Sequence, residues 1–279
     1  MNIITDVREM QEICKQRNQA VKTGFVPTMG FLHEGHLSLV EESCRTSDVT
    51  IVSIYVNPSQ FGANEDFGAY PRDYDRDLRL LAEHNVDYVF MPDSAQMYPQ
   101  GHKSWVEVEG LSDILCGSSR PGHFRGVATI VLKLVNIVQP HLMFMGIKDF
   151  QQVVILETML KDLNQGTKIV RCPILREPDG LAMSSRNCYL DIKERISAIC
   201  LYGSIGQAQS LYQSGTRDRE TILAAAKQII FSADGKIDYI KLVDQNTLSE
   251  VETADENTRI MLAVYIGKTR LIDNDALSA

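Results

Sequence analysis

Val49-Thr50-Ile51-Val52-Ser53-Ile54-Tyr55-Val56 is almost continuously apolar and rich in β-branched residues. A strand with one wet face would alternate polar and apolar side chains. An unbroken run is how a parallel strand covered on both faces reads. Upstream, Gly24-Phe25-Val26-Pro27 is a second short apolar run that ends in Thr28-Met29-Gly30. A helical pattern follows, with Leu37, Val40 and Cys44 at spacings of three and four. Downstream, residues 76–85 read as helix, Tyr88-Val89-Phe90 as strand and residues 127–138 as an apolar helix. Residues 142–145 read as strand, and residues 149–163 as a helix with Val153, Leu156, Leu160 and Leu163 on one stripe. Residues 168–174 close the series. Strand–helix alternation at this spacing predicts βαβ units, and hence an α/β fold built on a doubly wound parallel, Rossmann-like sheet.

The pattern changes after Leu175. Residues 176–187 (REPDGLAMSSRN) form a polar connection containing Gly and Pro. Helical stretches at 192–213 and 217–231 follow, then strand-like runs at 237–243, 260–265 and 269–272. This order predicts a smaller α+β domain over 175–279 behind a sheet domain over 1–174. The total of 279 residues suits two domains. A 44% hydrophobic and 23% charged composition is that of a globular protein and excludes disorder, collagen or a coiled-coil rod. The net charge of −8 excludes a broadly basic nucleic-acid binder. It also requires that any anionic ligand be met by a local cluster of donors. Charged residues interrupt residues 1–20, so no signal peptide is expected there, and no apolar run reaches the length of a membrane span. The six cysteines never form C-x-x-C and suggest thiols in a reducing compartment. A cytoplasmic protein is the expectation.

In an open α/β sheet, ligands bind beyond the carboxyl ends of the strands. The first strand there leads into Met29-Gly30-Phe31-Leu32-His33-Glu34-Gly35-His36, and the second into Asn57-Pro58-Ser59-Gln60. The strand at 142–145 leads into Gly146-Ile147-Lys148-Asp149, and the domain connection carries Met183-Ser184-Ser185-Arg186. His33 and His36 stand three apart at the mouth of a helix, whose free N–H groups and partial positive charge suit phosphate. A zinc protease helix would need His-x-x-x-His instead. Capping or core histidines are the plain alternative. Lys148 and Asp149 open another helix, where Asp149 would serve as N-cap. Gln60 and Gln152 are neutral amides near the same strand ends; alone, each would be read as a surface glutamine.

Here the chain resembles a known family. His33-Glu34-Gly35-His36 is a variant of the HIGH motif, and Met183-Ser184-Ser185-Arg186 is similar to the mobile KMSKS loop of the same nucleotidylyl-transferring superfamily. With Pro27-Thr28-Met29-Gly30, Val56-Asn57-Pro58, Tyr70-Pro71-Arg72, Arg120-Pro121-Gly122-His123-Phe124, Gln151-Gln152, Asp179-Gly180-Leu181-Ala182 and Arg270-Leu271-Ile272-Asp273-Asn274, the text resembles the pantothenate synthetase (pantoate–β-alanine ligase) family. The resemblance implies condensation of pantoate with β-alanine, driven by ATP with Mg²⁺, giving pantothenate, AMP and pyrophosphate. It implies an ATP site of Met29, Gly30, Phe31, Leu32, His33, Glu34, Gly35, His36, Gly146, Ile147, Lys148, Asp149, Leu175, Met183, Ser184, Ser185 and Arg186. Gln60 and Gln152 would take pantoate, Gln60 would also neighbour β-alanine, and His36 carries the family's proton-donor label. It further implies a homodimer. No residue is marked as a Mg²⁺ ligand. Ile147 departs from the family pattern, which is usually acidic there.

These residue types suit the reaction. A carboxylate that attacks the α-phosphate of ATP meets another anion and then expels a third. Fixed donors are needed where that charge develops. His33, His36, Lys148 and Arg186 are the expected catalytic set. Amide donors such as Gln60 and Gln152 orient a carboxylate without the charge of a salt bridge, which would dull it as a nucleophile. Another HIGH-type nucleotidylyltransferase and a non-catalytic nucleotide binder are the rival readings; a tRNA synthetase is disfavoured because no large basic anticodon-binding region follows residue 187.

Overall fold

The computed structural model describes residues 1–18, 20–63 and 65–278. Six strands form one parallel sheet: β1 (Asn2–Ile4), β2 (Thr23–Thr28), β3 (Val49–Ile54), β4 (Tyr88–Phe90), β5 (Leu142–Gly146) and β6 (Lys168–Cys172). Their order across the sheet is β1-β4-β3-β2-β5-β6, and every neighbouring pair is parallel. From β2 the chain builds outward through β3 and β4, then returns to add β5 on the other side of β2. The direction therefore reverses between β2 and β5, which makes their carboxyl ends the topological switch point. All of β3 except Val49 is buried, as its unbroken apolar run requires. Val26, Val40, Val52, Leu81, Val89 and Phe144 pack into one core of this sheet.

Strand β1 and the helix Val7–Gln16 were not foreseen. A three-residue edge strand offers no period to read. The helix buries only Met10 and Cys14, and Asp6 caps it by accepting from Arg8 and Glu9 N–H at 2.9 Å each. The predicted helix at 76–85 runs instead over Tyr74–Glu83, because Asp73 caps it and accepts from Arg76 N–H at 3.1 Å. Strand β6 stops at Cys172, just before Pro173, which lacks the N–H a ladder needs.

A second sheet holds β7 (Lys236–Asp244), β8 (Thr258–Ile266) and β9 (Thr269–Ala276) in antiparallel order. Helices Cys200–Gln213 and Arg219–Ser232 cover it, burying Ile205, Ile222 and Ile230 with Leu242, Leu262 and Val264. The stretch expected as one helix over 192–213 is two, Ile192–Ser197 and Cys200–Gln213. Between them Leu201 N–H bonds to Ala198 O at 3.2 Å, a tighter turn that resets the helical register.

The chain divides into two compact units, Met1–Ile147 with Ile155–Pro173, and Lys148–Val154 with Ile174–Ala279. The expected division lay at 174/175 with nothing exchanged. The heptapeptide Lys148–Val154 goes with the second unit for a local reason. Arg259 of β8 lies over the Phe150 ring at 4.2 Å, and Asn274 of β9 donates to Lys148 O at 2.8 Å.

Candidate functional site

In the first unit, the turn after β2 carries the HIGH-like segment, and its shape is imposed by Asp77. This fully buried carboxylate accepts Phe31 N–H at 2.7 Å with one oxygen and Leu32 N–H at 2.8 Å with the other. Burial pushes its carboxyl up from the ordinary aspartate range, against the pull of those two N–H groups. Arg76, next to it on the same helix, donates to Leu32 O at 2.8 Å and lies over the Phe31 ring. The turn needs left-handed backbone at Gly30 (φ +82°) and Phe31 (φ +51°). A Cβ on Gly30 would lie 3.0 Å from both Asp77 Oδ2 and Ile54 Cγ2. Asp77 is a positioning residue that no sequence pattern exposed, since an acid on an amphipathic helix is ordinary.

His33 is the N-cap of helix Glu34–Thr46 and His36 sits one turn in. Gly35 N–H donates to His33 Nδ1 at 3.1 Å, and His33 N–H donates to His36 Nδ1 at 3.3 Å. His36 N–H returns to His33 O at 2.7 Å. The helix start was expected to offer free backbone N–H groups to an anion; these three are already used. Their use sets the tautomer of both side chains. With both Nδ1 atoms accepting, each neutral imidazole carries its proton on Nε2. The two rings, 4.0 Å apart between centroids, are fixed as Nε2–H donors. Glu34 is exposed and Leu32 buried, so the histidines are the polar side chains that the turn orients.

Gln60 ends the 3₁₀ turn Pro58–Gln60 after β3. Its orientation follows from a chain of hydrogen bonds that begins at an obligate acceptor. Asn57 Nδ2 donates to Gly126 O at 3.2 Å and to Gln60 Oε1 at 3.0 Å. Asn57 Oδ1 accepts from Tyr98 OH and Ser59 Oγ, each at 2.9 Å. The Gln60 amide must therefore turn its nitrogen the other way, where it donates to Met29 Sδ at 3.3 Å. Met29 and Gln60, from different strand ends, thus meet. The Gln60 carbonyl accepts from His123 Nδ1 at 2.8 Å, while Arg120 donates to His123 Nε2 at 2.9 Å and grips Glu65 with two bonds of 2.7 Å. Burial alone would raise the Glu65 carboxyl, but the Arg120 guanidinium, with Gly62 N–H and His123, outweighs it and brings it below the usual range. Asn57, Arg120 and His123 stand in the family-like text with no task assigned by type or spacing, and Tyr98 carries no sequence signal. Gly146 and Ile147 close this unit's set at the end of β5, both partly exposed.

The second unit holds the remaining predicted residues. Ile147–Asp149 is a 3₁₀ turn and the helix begins at Phe150, so Asp149 directly precedes the first helical residue, the place expected of an N-cap. Lys148 Nζ stands 3.8 Å from Asp149 Oδ2. Gln152 is partly exposed on the first turn of the helix and its neighbour Gln151 is buried. The polar connection is an ordered hairpin. Arg176 pairs with Ala182, Met183 N–H donates to Leu175 O at 3.0 Å, and Glu177 N–H to Leu181 O at 2.8 Å. Leu175 itself is exposed, so its main chain does the structural work. Ser184 Oγ accepts from Arg186 N–H at 3.3 Å and starts the 3₁₀ turn Ser185–Tyr189. Asn187 Nδ2 ties that turn back to Glu177 Oε1 at 2.8 Å.

A parallel sheet with a histidine-bearing helix start at its switch point defines an α/β, Rossmann-like fold whose ligand site is expected at the carboxyl ends of β2 and β5. A family model described as pantoate-beta-alanine ligase matches residues 2–276. The chain belongs to that family and is a ligase. It is 48% identical over 278 residues to a pantothenate synthetase of Pseudothermotoga lettingae, covering 99% of each. Over 277 residues it is 50% identical to one of a Sulfurihydrogenibium species, covering 98% of this chain and 99% of the relative. A pantothenate synthetase from Thermus thermophilus superposes with a TM-score of 0.95 at 38% identity, covering 100% of both chains. A pantoate-beta-alanine ligase from Francisella tularensis, complexed with beta-gamma ATP and beta-alanine, gives a TM-score of 0.86 at 37% identity over 100% of this chain and 98% of that one. Among the described residues, no helix is long and apolar enough to cross a membrane.

Proposed function

We propose that this ligase joins pantoate to β-alanine in two steps. The pantoate carboxylate attacks the α-phosphate of ATP and expels pyrophosphate. The amine of β-alanine then attacks the pantoyl adenylate and releases AMP. The observation that carries this reading is the pair of Nε2–H donors fixed at the end of β2. Such donors, preset where negative charge grows, need no reorganisation as the pyrophosphate leaves. His33 and His36 donate to phosphate oxygens, Lys148 acts on the α-phosphate, and Ser184, Ser185 and Arg186 stabilise the leaving group. His36 acts as an electrostatic donor rather than a literal acid, because pyrophosphate leaves with little protonation. Full-length similarity to the Francisella ligase, whose complex contains an ATP species and β-alanine, supports the substrate pair.

Gln60 orients pantoate. Its oxygen is committed to Asn57, so the amide nitrogen is the group it turns to a carboxylate. Gln152 supplies a second neutral donor. Neither adds a formal charge, so the carboxylate keeps its nucleophilicity while being aligned. Mg²⁺, entering with ATP, would supply charge neutralisation on the departing phosphates. Among the described residues no group of three or more His, Cys, Asp or Glu side chains could hold a metal ion. The deciding experiment mixes the protein with ATP, Mg²⁺, pantoate and β-alanine and identifies the products by mass. Free AMP and pantothenate are expected; a nucleotidylated acceptor would assign a nucleotidylyltransferase instead. Without β-alanine, pantoate should drive exchange of labelled pyrophosphate into ATP, and no exchange would sink the adenylate. His36→Ala should abolish most of that exchange with the fold retained.

A further inference from the structure

Arg270-Leu271-Ile272-Asp273-Asn274 is part of the family text, yet no step of the reaction falls to it. Asp273 and Asn274 are neighbours on β9 and both are almost completely buried. Each reaches a different segment of the candidate site. The Asp273 carboxylate accepts two bonds from Arg176, at 2.6 and 3.0 Å. Arg176 also donates to Gly180 O at 3.1 Å and lies over the Tyr202 ring at 4.5 Å, which fixes the base of the hairpin leading into Met183–Arg186. Asn274 Nδ2 donates to Lys148 O at 2.8 Å, and its Oδ1 accepts from Arg259 at 2.6 Å.

Stability is a poor reason for this arrangement. A buried ion pair of this kind is often no more stable than well-packed apolar residues of the same volume. A polar pair whose bonds end on the main chain of Lys148 and at the foot of the 183–186 turn has a geometric use instead. Hydrogen bonds fix position and direction, which dispersion contacts between apolar side chains do only weakly.

We propose that Asp273 and Asn274 are positioning residues. Together they brace Lys148 and the Met183–Arg186 turn from one rigid strand, so that both phosphate-facing groups of this unit keep one fixed spacing. The inference rests on the reading of Lys148 and Arg186 as acting on the nucleotide. Asn274 carries the sharper half, because it grips the carbonyl of residue 148 itself. Without that bond the 3₁₀ turn at 147–149 can relax, and a misplacement of about 1 Å in a catalytic group costs up to about 100-fold in rate.

The test is a double-mutant cycle on pantoate-dependent ATP–pyrophosphate exchange, using Asn274→Ala, Lys148→Ala and both together in the full chain. Asn274→Ala should lower kcat for exchange about 10- to 100-fold, with KM for pantoate changed less than about two-fold. In the Lys148→Ala background the same change should cost less than about two-fold, because the group being positioned is already gone. Equal losses in both backgrounds would overturn the positioning role. Near wild-type exchange by Lys148→Ala would instead overturn the reading of Lys148 underneath it. Should Asn274→Ala fail to fold, Asn274→Asp takes its place. It keeps the size and the acceptor for Arg259 but has no N–H for Lys148 O, and a fully active Asn274→Asp would equally overturn the proposal.

Discussion

Gly126→Ala is the most discriminating substitution, because its effects on stability and on activity separate. Gly126 lies in the first turn of the helix His123–Val138, directly behind the 3₁₀ turn that carries Gln60. A Cβ there would sit 2.3 Å from Ser59 O, 2.6 Å from Ser59 C and 2.7 Å from Gln60 N. All three are backbone atoms, so no side chain can swing aside. Cβ atoms essentially never approach within 3.0 Å of such neighbours, so the 2.3 Å contact must open by moving the Ser59–Gln60 peptide. Overpacking of this kind costs about 1–3 kcal/mol. Alanine in a helix regains about 1 kcal/mol over glycine. The net loss of stability is therefore about 0–2 kcal/mol, a lowered melting temperature in a protein that still folds. Activity should fall much further. The shift breaks the line from Gly126 O through Asn57 to the Gln60 amide, and a displacement near 1 Å at a substrate-orienting group costs on the order of 100-fold. Pantoate-dependent ATP–pyrophosphate exchange reads the loss, and urea unfolding reads the stability. Gly206→Ala is the control. Nothing lies within 4 Å of its added Cβ in the helix Cys200–Gln213, so it should gain about 0.4–1 kcal/mol with exchange unchanged. Exchange by Gly126→Ala within two-fold of wild type would refute the claim that this peptide sets the Gln60 amide proposed to bind pantoate.

Three further outcomes rest on the same geometry. Gly30→Ala forces a side chain into left-handed backbone and against Asp77; it should lose about 1–2 kcal/mol from the backbone alone and raise KM for ATP. The Glu65 carboxyl has a folded pKa below its unfolded value, so its contribution to stability is present above the unfolded carboxylate pKa of about 4.3 and disappears as pH falls through the lower folded pKa. Glu65→Gln should therefore flatten the acid limb of urea midpoint against pH, and an unchanged limb would deny the pairing with Arg120 a role. Of the six free cysteines only Cys188 is exposed, while burial pushes the Cys172 and Cys200 thiols up to about 11. A thiol reagent at pH 8 should label one cysteine rapidly in the native protein, and Cys188→Ser should abolish that phase.

Much of this was legible in the chain because the signals were local. A strand covered on both faces must be apolar throughout, so residues 49–56 announced a parallel sheet, and β3 is buried accordingly. Hairpin-spaced runs announced β7 to β9, and Gly267-Lys268 closes the last of those hairpins. The residues suited to phosphate chemistry stood out by type and by place after strands. Short or sparsely apolar elements, such as β1 and the helix Val7–Gln16, were invisible because a period needs several repeats to be read.

Partnership was not legible. Nothing in the spacing of His33 and His36 says that each Nδ1 accepts a backbone N–H; that follows from the turn which Asp77, over 40 residues away, holds open through Phe31 and Leu32. Nor does the text from Arg270 to Asn274 say that two adjacent side chains on β9 end on Arg176 and on the carbonyl of Lys148. The sequence by itself determined which strands are buried, which segments fall at their ends and which chemistry those segments carry, since these depend on side-chain type and local period. Only the tertiary structure decided tautomer, amide orientation and the membership of Lys148–Val154 in the second unit. Each of those depends on which donor meets which acceptor across distant parts of the chain, and a one-dimensional pattern does not encode that.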